Sequence, residues 1–206
     1  MLYSTAIDKS QNCPQCGDRL DIYFKYSKLI KCASCGSSIF LGDEAAKLIG
    51  KSSVLAEEPS LLQLHKPFKY KSKHYIPIGK IRYSYGRGFW EEWFLKDESN
   101  KEYWLSIDEG DFVLQEKIKL SLPFKSSKDL NIGKRYGKHV VTEKGEGRCV
   151  GFEGELPQEI HLDETHHYVH LSEGMGKLLT VEFSNTLTEM FKGEWIDPLE
   201  IEVLHA

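Results

Sequence analysis

The residues with the most defined chemistry lie in NCPQCGDRLDIYFKYSKLIKCASCGSSIF, residues 12–40. Cys13 and Cys16 form one C-x-x-C pair and Cys32 and Cys35 a second, with fifteen residues between the pairs. That spacing is the pattern of a four-thiolate zinc site, in which two knuckles supply a tetrahedron of soft ligands. Gly17 and Gly36 follow the second cysteine of each knuckle and permit the left-handed turn that aims backbone N–H groups at sulfur. A metal enclosed by four protein thiolates keeps no position open for water or substrate, so the expected role of the zinc is structural.

Two other stretches carry polar chemistry. HLDETHHYVH holds His161, His166, His167 and His170 beside Asp163 and Glu164. On a strand, His166, Tyr168 and His170 would share one face and His167 the other. The spacing matches no named metal motif, and a solvated histidine-rich loop leading into a strand is the expectation, with a metal-dependent enzyme as the weakest alternative. KPFKYKSKHYIPIGKIRY interleaves cations with rings. Lys69, Lys71, Lys73 and Arg82 could form a binding surface for an anionic partner, with Phe68, Tyr70 and Tyr75 available for stacking. Residues 64–90 hold seven Lys/Arg and no Asp/Glu, whereas residues 143–206 hold fourteen Asp/Glu and four Lys/Arg. The acidic half opposes a polyanion, so a lysine-protected edge strand is the preferred reading.

The elements that must position these residues are mostly strands. Ile22, Phe24 and Tyr26 alternate with polar positions, and Leu29–Lys31 adds a second strand, which makes residues 1–42 a zinc ribbon. Asp43 could cap a short helix over 44–49, ended by Gly50, and a linker runs from there to residue 60. Residues 61–206 read as a β-rich domain. Strands are predicted at 75–83, where Pro77 marks an edge or bulge, and at 90–96, 103–107 and 112–119, forming a meander. A second set is predicted at 136–142 and 148–153, flanking EKGEG as a turn, then at 168–171, 178–184 and 190–196. The fold class is mainly β, a ribbon followed by a sandwich or barrel-like domain, with two related β units as one way to build it.

WEEWFLKDESNKEYWLSIDEGDFVL and GFEGELP carry a family resemblance. Trp90, Glu92, Trp93 and Leu95, then Tyr103, Trp104, Leu105, Gly110 and Phe112, then Gly154, Glu155, Leu156 and Pro157 match its recurring pattern. The chain resembles the bacterial domain of unknown function 4178 family over roughly residues 60–200. The resemblance implies an N-terminal zinc ribbon and an accessory or adaptor role in a bacterial stress system, and it transfers no catalytic residue.

No G-x-x-x-x-G-K-[ST] or G-x-S-x-G motif is present. Cys149, beside Val150 and Phe152, is expected to be buried and inert, and Trp90, Trp93, Trp104 and Trp195 are either core or binding surface. No run reaches the roughly 20 apolar residues of a membrane helix, and the start lacks the pattern of a secretory signal. Four paired cysteines suit a reducing compartment, so a cytoplasmic, non-enzymatic adaptor that binds another protein is the leading expectation. A nucleic-acid-binding protein is the alternative.

The ribbon is too short to build its own core, and metal binding worth on the order of 10 kcal/mol would supply most of its folding free energy. Chelation is therefore expected to abolish the strand signal of residues 10–41 in backbone NMR. Unchanged order after complete metal removal would contradict a metal-held ribbon.

Overall fold

The structure is a computed structural model that describes residues 11–41, 46–51, 55, 59–120, 124, 126–184 and 187–204. Five strands make up the N-terminal ribbon: β1 (Gln11–Asn12), β2 (Arg19–Leu20), β3 (Leu29–Lys31), β4 (Ser37–Leu41) and β5 (Ala46–Lys51). The helix predicted over 44–49 is corrected from residue 46 onward, where the chain is strand; residues 42–45 lie outside the described residues. β5 pairs with β4, Ile39 opposite Leu48 and Leu41 opposite Ala46. A stretch this short forms few internal helical bonds, whereas the open edge of β4 offers a complete ladder. Most of the predicted linker, residues 52–54 and 56–58, lies outside the described residues; Leu55 is buried.

The larger domain begins with β6 (Phe68–Tyr70) and then runs as two meanders. The first is β7 (Lys73–Ser84), β8 (Phe89–Asp97), β9 (Glu102–Asp108) and β10 (Asp111–Ile118). After the short β11 (Arg135–Tyr136) comes the second, β12 (His139–Leu156), β13 (Thr165–Gly174), β14 (Lys177–Phe183) and β15 (Thr188–Ile196), and β16 (Ile201–Val203) closes the chain against β6. The last strands of the two meanders pair, β10 with β15, and so do the first, β7 with β12. Following the pairings β7-β8-β9-β10-β15-β14-β13-β12 therefore returns to β7: eight antiparallel strands form a closed barrel. Closure abolishes the unpaired edges that an open sheet would expose.

The first meander falls where alternation and turn residues predict it. The second contains a difference. EKGEG is not a turn, because β12 is one strand of eighteen residues in which Gly145 and Gly147 pair with Tyr168 and His166. A Cβ on Gly145 would lie 2.4 Å from the Tyr168 ring and one on Gly147 would lie 2.2 Å from the Trp90 ring. These glycines make room for rings inside the barrel.

Pro77 sits at a bulge between Pro77 and Gly79 that shifts the register of β7 against β8. Before it Tyr75 faces the outer apolar cluster; beyond it Ile81 and Tyr83 face the interior. The interior cluster includes Ile78, Ile81, Phe94, Trp104, Phe152 and Phe191. Two further clusters lie on the other face of the strands. Trp93, Leu95, Leu105 and Leu114 are covered by Phe68, Tyr70 and Ile201, and Val169, Leu171, Val181 and Met190 by Leu130, with Phe124 and Tyr136 packed against them.

The ribbon caps one end of the barrel. Phe24 and Leu29 belong to the interior cluster, and Phe24 packs on Phe94 at 5.3 Å. The link runs through the G-E-L-P segment. Glu155 and Leu156 leave β7 and pair with Ile30 and Leu29 of β3. The buried Glu155 carboxylate accepts hydrogen bonds from the backbone N–H of Tyr23 (2.6 Å) and Phe24 (2.9 Å) and from the Ser27 hydroxyl (2.5 Å). Burial pushes its carboxyl pKa up against the pull of these donors and of Lys96. Just before it Gly154 lies opposite Gly79. A Cβ on Gly79 would meet the Glu155 carbonyl oxygen at 2.1 Å, and one on Gly154 would meet the Ile78 carbonyl oxygen at 2.3 Å.

Replacing Glu155 by Ala strands three donors at this junction. The expected loss is on the order of 3 kcal/mol of unfolding free energy, measured by urea denaturation, together with faster amide exchange at Tyr23 and Phe24. Unchanged stability and exchange would show that the carboxylate does not fasten the ribbon.

Candidate functional site

The four knuckle cysteines converge as their spacing predicts. Cys13 and Cys35 Sγ are 3.7 Å apart, as are Cys16 and Cys32 Sγ, and all four sulfurs lie within 4.8 Å of one another. A tetrahedron with metal–sulfur bonds of about 2.3 Å has an edge of about 3.8 Å, so the thiol set fits a four-coordinate metal ion. Gly17 and Gly36 donate to the Cys13 and Cys32 carbonyls with φ of 78° and 71°. The N–H groups of Ser34 and Cys35 bond the Cys32 sulfur and that of Asp18 bonds Cys16. Such donors stabilise thiolate charge and orient the ligands.

The other candidate site is the barrel interior away from the ribbon. It is assembled by register. Trp90 lies opposite Asp108 and Glu92 opposite Ser106, between β8 and β9. Asp108 faces Asp111, Ser106 faces Val113, and Val113 faces Trp195 across β9, β10 and β15. In the second meander Tyr168 lies opposite Glu182, and His170 lies opposite Thr180 on one side and Glu143 on the other. Together with Gln115 and His166 these residues line a cavity of about 110 Å³. Eight-stranded barrels either fill their interior with side chains or hold one small ligand there. This one does the first at the ribbon end and leaves space at the other.

The lining is polar and strongly coupled. His166 Nε2 lies 3.3 Å from Glu182. His170 Nδ1 lies 3.0 Å from Glu143, whose other oxygen accepts from the Tyr168 hydroxyl at 2.8 Å. The His170 contact holds the Glu143 carboxyl pKa below its ordinary value despite burial. Burial pushes the Glu92 carboxyl up to about 8, with Glu182 adding repulsion and hydrogen bonds from Ser106 and Trp90 opposing. Burial and Glu109 raise the Asp108 carboxyl. Burial pulls the His166 imidazole pKa down, but Glu182 and Glu92 outweigh it and the net shift is upward. Gln115 Oε1 and Thr180 Oγ1 are buried without a hydrogen-bond partner, and their side chains line the cavity. An orphaned polar atom costs about 1–3 kcal/mol unless a ligand or water completes it.

The histidine stretch is resolved by this arrangement. His166, Tyr168 and His170 share a face, as the alternation predicts, and that face is the enclosed one rather than a solvated loop. His167 points outward toward Glu146 at 3.2 Å, and His161 is exposed near Glu159. Among the described residues the four cysteines are the group of three or more His, Cys, Asp or Glu whose ligand atoms cluster within 4.8 Å; the histidines do not join such a group.

The basic stretch behaves differently from a free cationic face. Lys69 pairs with Glu202 at 3.1 Å, Lys71 with Glu194 at 2.8 Å, and Lys73 donates to the Tyr103 hydroxyl. Arg82 is corrected from the surface to a buried position, because its guanidinium closes on Glu91 at 2.7 Å between Lys80 and Phe89. Phe68, Tyr70 and Tyr75 are buried in the outer cluster. Trp90, Trp93 and Trp104 are buried, while Trp195 is 43% exposed at the cavity. Cys149 is buried, and burial raises its thiol pKa to about 12.

Glu92, Ser106, Gln115, Thr180 and Glu182 were not legible as a site. Each is an ordinary strand residue, and what unites them is a polar residue at the interior phase of successive strands. That signal needs the barrel to be known.

Fold and sites define a mainly β protein, a closed barrel capped by a four-cysteine ribbon. Residues 64–198 match the family described as Domain of unknown function (DUF4178), and the chain belongs to that family. No curated protein and no solved structure matches the chain. Among the described residues no helix is long and apolar enough to cross a membrane.

A carboxyl whose folded pKa is raised from 4.5 to about 8 stabilises the fold when protonated. That contribution is complete below about pH 4.5 and is lost as the pH rises toward 8. The urea midpoint is expected to fall between pH 5 and 8.5, and to fall less in Glu92→Gln. The remaining slope reflects the other groups whose pKa is raised, His166, Glu155 and Asp108, which act in the same direction. Equal slopes in the two proteins would contradict a buried, protonated Glu92.

Proposed function

We propose that the barrel is a non-enzymatic binding module for a small polar molecule held in its interior, and that the ribbon is a structural zinc site sealing the opposite end. The observation that supports the ligand reading is the cavity, whose lining includes Gln115 and Thr180, each with a buried side-chain oxygen that has no hydrogen-bond partner among the described residues. Its acid and base groups are tied to one another, His166 to Glu182 and His170 to Glu143, which suits fixing a ligand in place. Zinc is the metal favoured by four soft thiolates at tetrahedral spacing. It would be held by Cys13, Cys16, Cys32 and Cys35 and would supply folding energy.

On this reading small-ligand binding is favoured over the protein-binding adaptor role expected from the sequence. The nucleic-acid alternative is opposed by the ion-paired Lys69 and Lys71, the buried Arg82 and the buried rings. A cytoplasmic setting remains part of the proposal, supported by cysteines that form no disulfide, and a bacterial one rests on the family resemblance alone.

The test uses the full zinc-loaded chain and a library of polar fragments below about ten heavy atoms, read by the indole N–H resonances of Trp90 and Trp195. Thr180→Leu fills the cavity and removes one orphaned oxygen. Saturable binders are expected to shift both indoles in the native protein and to lose at least tenfold in affinity in Thr180→Leu, with no fall in melting temperature. No binder, or binders indifferent to Thr180→Leu, would overturn the reading.

A further inference from the structure

The charge of the cavity is one-sided. Glu92, Asp108, Asp111, Glu143 and Glu182 line it, with His166 and His170 as the nitrogen bases, and among the described residues no Lys or Arg does. Even with both imidazoles protonated and Glu92 neutral, the remaining four carboxylates leave an excess of negative charge. Asp111 and Glu143 are solvent-exposed, and a cleft lined by one sign of charge concentrates counter-ions of the other. An anionic ligand is therefore opposed, and a neutral one leaves that field uncompensated.

The walls also carry rings. Trp90, Tyr168 and Trp195 border the cavity, with Tyr168 and Trp90 edge-to-face at 5.5 Å. Aromatic faces attract desolvated cations, by about 2 kcal/mol in enclosed sites. The orphaned atoms add direction. Gln115 Oε1 is an acceptor, and Thr180 Oγ1 can accept, so both are completed by a ligand rich in donors. A metal ion is a poor match, because outside the four cysteines no three ligand atoms of the described residues gather within 4.8 Å. The carboxylates surround a volume instead of a point.

Building on the ligand-binding reading above, we infer that the cavity takes a protonated amine: its ammonium N–H groups donate to Gln115 and Thr180, its charge faces the carboxylates, and its alkyl portion lies against Val113 and the rings. The cavity of about 110 Å³ suits a short chain or the amino end of a longer one passing Trp195.

The experiment compares butylammonium chloride, 1-butanol and sodium butyrate on the full zinc-loaded chain at constant ionic strength, by calorimetry and by the Trp90 and Trp195 indole resonances. These probes share a chain length and differ in head group. Butylammonium is expected to bind saturably, at least tenfold more tightly than butanol, with butyrate silent. Thr180→Val and Asp108→Asn are each expected to weaken butylammonium at least threefold without changing the melting temperature by more than a few degrees. The two variants lie on different strands, β14 and β9, so a folding failure of one leaves the other as the test. Butanol or butyrate binding as tightly as butylammonium overturns the amine inference and leaves the ligand reading standing. Fragment binders at the indoles with all three probes silent do the same. Silence of the three probes and of the fragment library overturns both.

Discussion

The structure depends on the approach of two strands at a pair of glycines. Where Gly79 meets Gly154, a side chain on either would collide with a backbone carbonyl at just over 2 Å. The absence of both lets β12 lie against β7, and that pairing turns two meanders into a ring. The next residue, Glu155, reaches out of the ring and binds the ribbon backbone. Closure and capping are thus consecutive steps along one strand. They also explain why the G-E-L-P segment mixes a conformationally free residue, a charged one and an apolar one: a close crossing, a clamp, and a contact with Leu29.

Closure changes where the apolar surface goes. Much of it is buried outside the ring, beneath β6 and β16 on one side and the segment around Leu130 on the other. These covered outer faces offset the cost of an interior holding carboxylates and imidazoles. Inside, the ribbon end is packed with Phe24, Phe94 and Ile78, and the far end keeps the polar cavity. A metal held by the four cysteines would act on the cavity only through the cap it shapes.

Local chemistry was legible in the sequence and distant pairing was not. The four cysteines could be read because the ligands and their turn glycines are neighbours along the chain. The first meander could be read because its strands alternate and its turns are short. Gly145 and Gly147 read as a turn because a glycine that yields to a ring and a glycine that bends a chain look alike in sequence. The common face of His166, Tyr168 and His170 was legible, but its enclosure was not, since the wall opposite them comes from β8, β9 and β10. The basic stretch misled for the same reason. Its counter-charges, Glu194 and Glu202, lie more than a hundred residues away.

The closed seam is the central claim, because an open sheet would have no interior site and no fixed cap. Native-state hydrogen exchange measures it directly. Closure predicts that the facing amides of residues 79–84 and 148–154 are protected as strongly as those between β8 and β9 at the barrel centre. Exchange at the rate of an unpaired edge along either strand would show that the barrel is open.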